Sequence, residues 1–213
     1  MLKFLKNYLE ARRLRREGKK FYRTYKKLVP LILSDINSLE IGHQVLVDLH
    51  GSDASSMVWD SILFYKYAIL DLIDLVSMLA DSKKSNRNMI VRIIAGTLYE
   101  FLDDSRYFLS KKFRKKMANM PYSDRFLYEF DNISDMFSLI SEEFLKMLGD
   151  IRHNAAFHKD KNPRIFKKVK NDIDDYKIAE ATLSVFYLWS KIDKFHRLFL
   201  DCISQYQKDN NQN

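Results

Sequence analysis

Glycine, proline and cysteine are scarce in this sequence, which has 5, 3 and 1 of them among 213 residues. So few turn-forming residues exclude a turn-dense β-sandwich and a nucleotide-binding sheet with glycine-rich loops. The lone Cys202 cannot form an internal disulfide, and its position in an apolar helical run favours a buried structural role. Since no CxxC motif or Cys/His cluster occurs, we expect a cytoplasmic protein without a metal site or other cofactor.

Motifs of common hydrolases and long apolar runs are missing as well. The absence of GxxxxGKS, GxxxxGKT, HExxH and GxSxG patterns excludes P-loop nucleoside triphosphatases, HExxH metalloproteases and GxSxG serine hydrolases. Residues 1–27 lack the apolar core of a secretory signal peptide. The longest apolar segment, residues 57–80, is interrupted by charges that are costly in lipid: Asp60, Lys66, Asp71 and Asp74. We therefore expect no integral membrane span.

Apolar residues recur at helical spacing along almost the whole chain, and an alternation of period two is not sustained anywhere. This pattern predicts an all-α fold, a single bundle of about five to six helices over residues 28–206, followed by a disordered tail over 207–213. The helices are predicted over residues 2–16, 21–50 with a break at Pro30, 55–80, 85–117, 126–158 after a start at 121–124, and 174–205. The aromatic residues are expected in the core, among them Phe64, Tyr65, Tyr67, Phe186, Tyr187 and Trp189.

The net charge of +8 is concentrated at the N-terminus, because residues 1–27 contain 11 basic residues against two acidic ones. This basic arm suits a phosphate backbone, an acidic protein or an anionic membrane surface, and its Leu2, Leu5, Tyr8 and Leu9 leave peripheral membrane contact open. We expect its arginines to bind RNA: Arg12, Arg13, Arg15 and Arg16. A second basic cluster occupies residues 111–116, and Glu100, Asp103 and Asp104 are expected to form a solvated acidic face.

Residues 148–160 concentrate polar side chains in the sequence LGDIRHNAAFHKD. Arg152 and His158 are separated by five residues, Asn154 follows the arginine by two, and Ala-Phe directly precedes the histidine. This pattern resembles the signature of HEPN domains, in which four to six residues separate an arginine from a histidine. HEPN domains are small α-helical bundles, many of them RNases of toxin, phage-defence and RNA-processing systems. In that family a polar residue often follows the arginine, and here that residue is His153.

The resemblance implies a HEPN-like, metal-independent endoribonuclease in which two protomers of a homodimer join their motifs in one cleft. His158 would act as general acid or base, Arg152 would stabilise the phosphate, and Asn154 would orient either group. His153 and Asp160 would support them, and the basic residues that follow would guide RNA: Lys159, Lys161 and Arg164. An antitoxin or regulatory protein is a further partner of such an enzyme.

The same residues also allow a structural interpretation. Apolar residues from Phe144 to Ala155 form a stripe that His158 continues, so this histidine could cap the helix while Arg152 pairs with Asp150 or Asp160. The alternative function is therefore a non-catalytic dimerisation or partner-binding module. On a continuous helix, residues six apart point about 120° away from each other and lie about 9 Å apart along the axis. Catalysis by both groups thus requires a distortion before His158 or a second protomer.

Overall fold

The computed structural model of the chain describes residues 16, 19–20, 22–50, 54–82, 84–120, 123–153 and 173–210. These ranges contain helices and no β-strand, so the predicted all-α bundle is confirmed. A helical stretch over 22–26 precedes helices with these bounds: α1 Val29–His50, α2 Ala54–Asp81, α3 Lys84–Phe108, α4 Lys111–Met117, α5 Ser123–Ile151 and α6 Asp175–Asn210. No described helix combines the length and the apolar content that a membrane crossing requires.

The four longest helices, α2, α3, α5 and α6, make up the bundle. Helix α2 packs on α3, α3 on α5 and α5 on α6, while α6 also contacts α2 and α3; α1 packs on α2, and α4 on α5. Buried residues of α5 recur every three or four positions, which places them on one face of the helix. The core joins fully buried side chains from all four helices: Ile62, Leu72, Leu98, Phe101, Phe126, Phe130, Phe186 and Phe199. Each contributes about 1.5–3 kcal/mol by leaving water.

The predicted break near Pro30 lies at residues 27–28, where the chain makes a turn before α1. The amide of Leu28 donates to the carbonyl of Tyr25 at 2.8 Å and closes this turn. Helix α1 then begins at Val29, so Pro30 lies in its first turn, where a helix has no need of the missing amide proton.

The prediction of one continuous helix over 85–117 is wrong, because these residues form two helices. Helix α3 ends at Phe108, and Ser110 caps the start of α4 with extended backbone angles, its hydroxyl accepting a hydrogen bond from the amide of Phe113 at 3.1 Å. Phe113 and Met117 of α4 are buried and preserve the apolar spacing across the break. Periodicity alone therefore does not reveal the boundary.

The last helix is longer than predicted at its C-terminal end. The carboxylate of Asp174 accepts a hydrogen bond from the amide of Tyr176 at 2.9 Å and starts α6. The helix continues to Asn210, through residues that the sequence assigned to a disordered tail. One reason is a side-chain bond across one turn, in which Gln205 donates to Asp209 at 2.7 Å.

Three of the aromatic residues expected in the core, Tyr65, Phe186 and Trp189, are buried, as is Cys202, and Phe64 is partly buried against the core. The prediction is wrong for Tyr67 and Tyr187, which are 46% and 56% exposed. Each has a polar neighbour at the surface instead, because the Tyr67 hydroxyl donates to Glu40 and the ammonium of Lys191 lies 5.4 Å from the Tyr187 ring centre.

Candidate functional site

The C-terminal end of α5 and the middle of α3 approach each other closely at Gly149. A Cβ atom added to Gly149 would lie 3.0 Å from Cε2 of Tyr99, which is closer than ordinary van der Waals contact. Glycine is therefore the residue that lets the Tyr99 ring lie flush against α5. This contact brings Tyr99 and Glu100 of α3 beside Arg152 and His153, directly after the end of α5.

Arg152 is held by two neighbours on α3. Its Nε donates a hydrogen bond to Oε1 of Glu100, and Nη2 contacts the same oxygen. Its guanidinium carbon lies 5.3 Å from the ring centre of Tyr99, within the range of a cation–π interaction. The side chain of Arg152 is 23% exposed and that of Glu100 is 43% exposed. The guanidinium is therefore fixed in orientation and still reachable from solvent.

His153 extends the site toward solvent. Its Nδ1 lies 3.3 Å from Nη1 of Arg152, and its ring meets the Tyr99 ring edge-on with centres 5.5 Å apart. An arginine has only donors, so a hydrogen bond in this contact requires Nδ1 to accept, which assigns the ring proton to Nε2. The exposed Nε2–H can then donate to a bound oxyanion, beside the guanidinium.

The backbone changes its geometry at the predicted motif. The regular α-helix ends at Ile151, and Arg152 and His153 form a π-helical turn. Such turns are uncommon and widen the helix by one residue per turn. This change of helix type lies before His158, which is itself outside the described residues.

The acidic residues of α3 are not one uniform solvated face. Glu100 binds Arg152, and Asp103 accepts from Arg106 at 3.2 Å. Partial burial, together with the charges of Glu100 and Asp103, raises the pKa of Asp104. Within the described ranges, no three His, Cys, Asp or Glu residues are arranged to hold a metal ion.

Two of the predicted site residues, Arg152 and His153, come together in the described part of the chain, and Glu100 joins them. Arg152 pairs with Glu100, which the sequence did not name as its partner, and Asp160, one of the two partners it named, lies outside the described residues. Arg16 is among the residues that the structure describes, and its side chain is exposed. The other predicted residues lie outside the described residues: Arg12, Arg13, Arg15, Asn154, His158, Lys159, Asp160, Lys161 and Arg164.

A second polar cluster, which the sequence did not predict, lies inside the bundle. The ammonium of Lys66 on α2 donates to Asp35 of α1 at 2.8 Å and to Asp193 of α6 at 3.3 Å, although the side chain is only 7% exposed. Arg197 also donates to Asp193, at 3.0 Å. Burial acts to raise the pKa of Asp193, but Lys66 and Arg197 outweigh it, so this pKa is lowered. The cluster therefore ties three helices together through charged groups.

A histidine and a serine that contact each other complete this buried cluster. Nε2 of His196 lies 3.1 Å from Oγ of Ser61, and both side chains are buried. Burial lowers the pKa of His196 to about 3; the charge of Lys66 also lowers it, and that of Asp193 opposes the shift. His196 is thus neutral at physiological pH. The sequence signal that could have located the cluster is Lys66, the basic residue within the apolar segment 57–80. Asp193, His196 and Arg197 follow at helical spacing.

Comparisons of the chain with models of known protein families, with curated proteins and with solved structures found no match. The function is therefore argued from the chemistry of the residues themselves. Of the two clusters, the one around Arg152 is open to solvent and can meet a ligand, whereas the central Lys66 and His196 of the other are buried.

Proposed function

We propose that this chain is a metal-independent endoribonuclease, similar to HEPN RNases, that works as a homodimer. Arg152 binds the scissile phosphate, and His158 transfers a proton. The observation that carries the proposal is the placement of Arg152, whose guanidinium is oriented by Glu100 and Tyr99 and remains reachable beside an exposed His153. An oriented arginine that solvent can reach is suited to an oxyanion that offers two acceptor oxygens, such as a phosphodiester.

The reaction needs only the atoms of RNA and a proton donor and acceptor. The ribose 2′-oxygen attacks the adjacent phosphorus, a P–O2′ bond forms and the P–O5′ bond breaks. A base takes the proton of the 2′-hydroxyl, and an acid gives a proton to the leaving 5′-oxygen, so the products are a 2′,3′-cyclic phosphate and a 5′-hydroxyl. Arg152 stabilises the negative charge that develops on the phosphorane oxygens. Asn154 orients the reacting groups, and His153 donates its Nε2–H to a phosphate oxygen.

A mutational series in EDTA tests the proposal. Wild type is expected to cleave single-stranded RNA and leave DNA intact, since DNA lacks the attacking 2′-hydroxyl. Arg152→Ala and His158→Ala are each expected to slow cleavage by about 100-fold or more. The matched control is Arg106→Ala, which removes another partly exposed arginine, on α3, that is paired with a carboxylate. Absence of cleavage by wild type, or equal rates for all four proteins, would contradict the proposal.

A second candidate is a non-catalytic helical module for dimerisation or partner binding, and the ion pair of Arg152 with Glu100 favours it. In that function Arg152 serves to link α5 to α3, through the contacts of its Nε and Nη2 with Glu100. The two candidates differ in what Arg152→Ala changes. If Arg152 is a structural link, Arg152→Ala should lower the midpoint of urea unfolding, and neither wild type nor variant should cleave RNA. If the chain is an enzyme, Arg152→Ala should lose cleavage under conditions in which the variant is still folded.

A further inference from the structure

The described part of the basic arm presents its cations on one side. Arg16, Lys19, Lys20, Arg23 and Lys27, the cationic face, recur at spacings of three, four and seven residues, and all five are exposed. They line an open groove with a volume of about 830 Å³, together with Thr24 and Lys26. Among the described residues that line the groove, Thr24 is the only one without a positive charge. The groove therefore offers a dense field of cations to an anionic ligand.

The other side of this segment is already packed against the bundle. The ring of Tyr25 lies 4.6 Å from that of Phe186 and 6.3 Å from that of Trp189, both on α6. Tyr22 faces α2, where a hydrogen bond with Ser77, aided by the neighbouring Lys26, lowers its pKa. The aromatic residues thus hold the segment to α2 and α6 and turn the cationic face outward.

This arrangement separates two kinds of anionic partner. An amphipathic helix that binds a membrane inserts its apolar side into the lipid while its cations contact the headgroups. In the described residues of this segment, the side that carries Tyr25 is occupied by α6, so their cations have no apolar side free for insertion. A nucleic acid needs no such insertion, because its closely spaced phosphates are neutralised by lysine and arginine with release of counterions. The chemistry therefore favours a phosphodiester backbone over a lipid surface.

We propose that the cationic face binds the phosphate backbone of single-stranded nucleic acid. The binding is independent of base sequence and of cleavage, since its contacts are to phosphate groups and not to bases. RNA and DNA supply the same phosphodiester chemistry, so both are expected to bind. The proposal does not depend on the proposed RNase function, and single-stranded DNA tests it without any substrate for cleavage.

The test compares two variants of the full chain that lose the same charge from different surfaces. The arm variant carries Lys19→Gln, Lys20→Gln, Arg23→Gln and Lys27→Gln. The α4 variant carries Lys111→Gln, Lys112→Gln, Lys115→Gln and Lys116→Gln, which change four exposed lysines. Binding to labelled oligo-dT and oligo-U of about 20 nucleotides is followed by fluorescence anisotropy at several salt concentrations.

The arm variant is expected to bind both probes at least tenfold more weakly at low salt. Its slope of log K against log salt should fall by about 3, because each lost contact with a single strand contributes about 0.7. The α4 variant should change affinity by less than twofold. Equal weakening by both variants, or an unchanged slope in the arm variant, would overturn the proposal in favour of bulk charge or of another surface.

Further controls test whether the weaker binding reflects lost charge, lost folding or a different anionic partner. A variant with Lys19→Arg, Lys20→Arg and Lys27→Arg keeps the charge and should bind like wild type, and circular dichroism melting should be the same for all proteins. Vesicles of phosphatidylserine and phosphatidylcholine should not bind more tightly than oligo-dT. Arm-dependent vesicle binding that exceeds nucleic-acid binding, or equally effective displacement of oligo-dT by poly-glutamate at equal charge, would overturn the assignment to nucleic acid.

Discussion

The Arg152 site and the Lys66 cluster combine the same kinds of group, a cation, a carboxylate and a histidine, yet the two sites have different environments. Each places a cation between helices, pairs it with carboxylate and has a histidine beside it. Lys66 is 7% exposed and His196 is buried, whereas Arg152 is 23% exposed and His153 is exposed. Desolvation is what separates the two, because a buried charge must keep all its partners, while a partly exposed charge can exchange a partner for a ligand.

The largest effect is expected from removing a carboxylate of the buried cluster. Asp193→Ala leaves the Lys66 ammonium with Asp35 alone in a poorly hydrated place, so the free energy of unfolding should fall by about 3 kcal/mol. Urea unfolding followed by circular dichroism measures this change. Asp71→Ala, which removes an exposed aspartate of α2, is the control and should change the free energy by less than about 0.5 kcal/mol. Similar midpoints for the two variants would show that the buried cluster is not under electrostatic constraint.

The next effect concerns pH and follows from His196. Its pKa in the folded protein is about 3, below the unperturbed value near 6.5, so between these values the unfolded chain binds a proton that the folded one excludes. Stability from this group is complete above about pH 6.5 and is lost as the pH falls toward 3, at up to about 1.4 kcal/mol per pH unit. His196→Gln retains a partner for Ser61 and should remove this part of the slope. Parallel pH profiles of unfolding for wild type and His196→Gln would contradict the assignment.

The smallest effect on the free energy of unfolding is expected from Glu100→Gln, which should nevertheless change the rate of RNA cleavage. Glu100→Gln removes the charge that competes with a phosphate for Arg152, so RNA cleavage should rise a few-fold. The free energy of unfolding should change by less than about 1 kcal/mol, because the pair is partly exposed. Asp103→Asn, on the same helix, is the control with an equal charge change. Cleavage reduced to the level of Arg152→Ala would mean instead that Glu100 needs its charge to orient the guanidinium, because the amide oxygen of glutamine can still accept a hydrogen bond.

The sequence predicts long helices well and contacts between helices poorly. The helix predicted over 55–80 matches α2, Ala54–Asp81, because its apolar residues repeat at helical spacing over many turns. Lys66 interrupts that pattern, and the sequence indicates only that its charge is unusual there, since Asp35 and Asp193 come from other helices. Glu100 and Arg152 are likewise 52 positions apart, and only the packing of α3 on α5 brings them together. The residue types of the site are therefore predictable, but their partners depend on tertiary structure.

The close approach at Gly149 also has an evolutionary consequence. Because the Tyr99 ring fills the space that a side chain at position 149 would need, these two positions share one volume. In any relative that retains this packing, a larger residue at position 149 should be accompanied by a smaller one at position 99. A pair of positions that exchange volume in this way would mark the crossing of α3 and α5 in an alignment, even where the charged residues beside it have diverged.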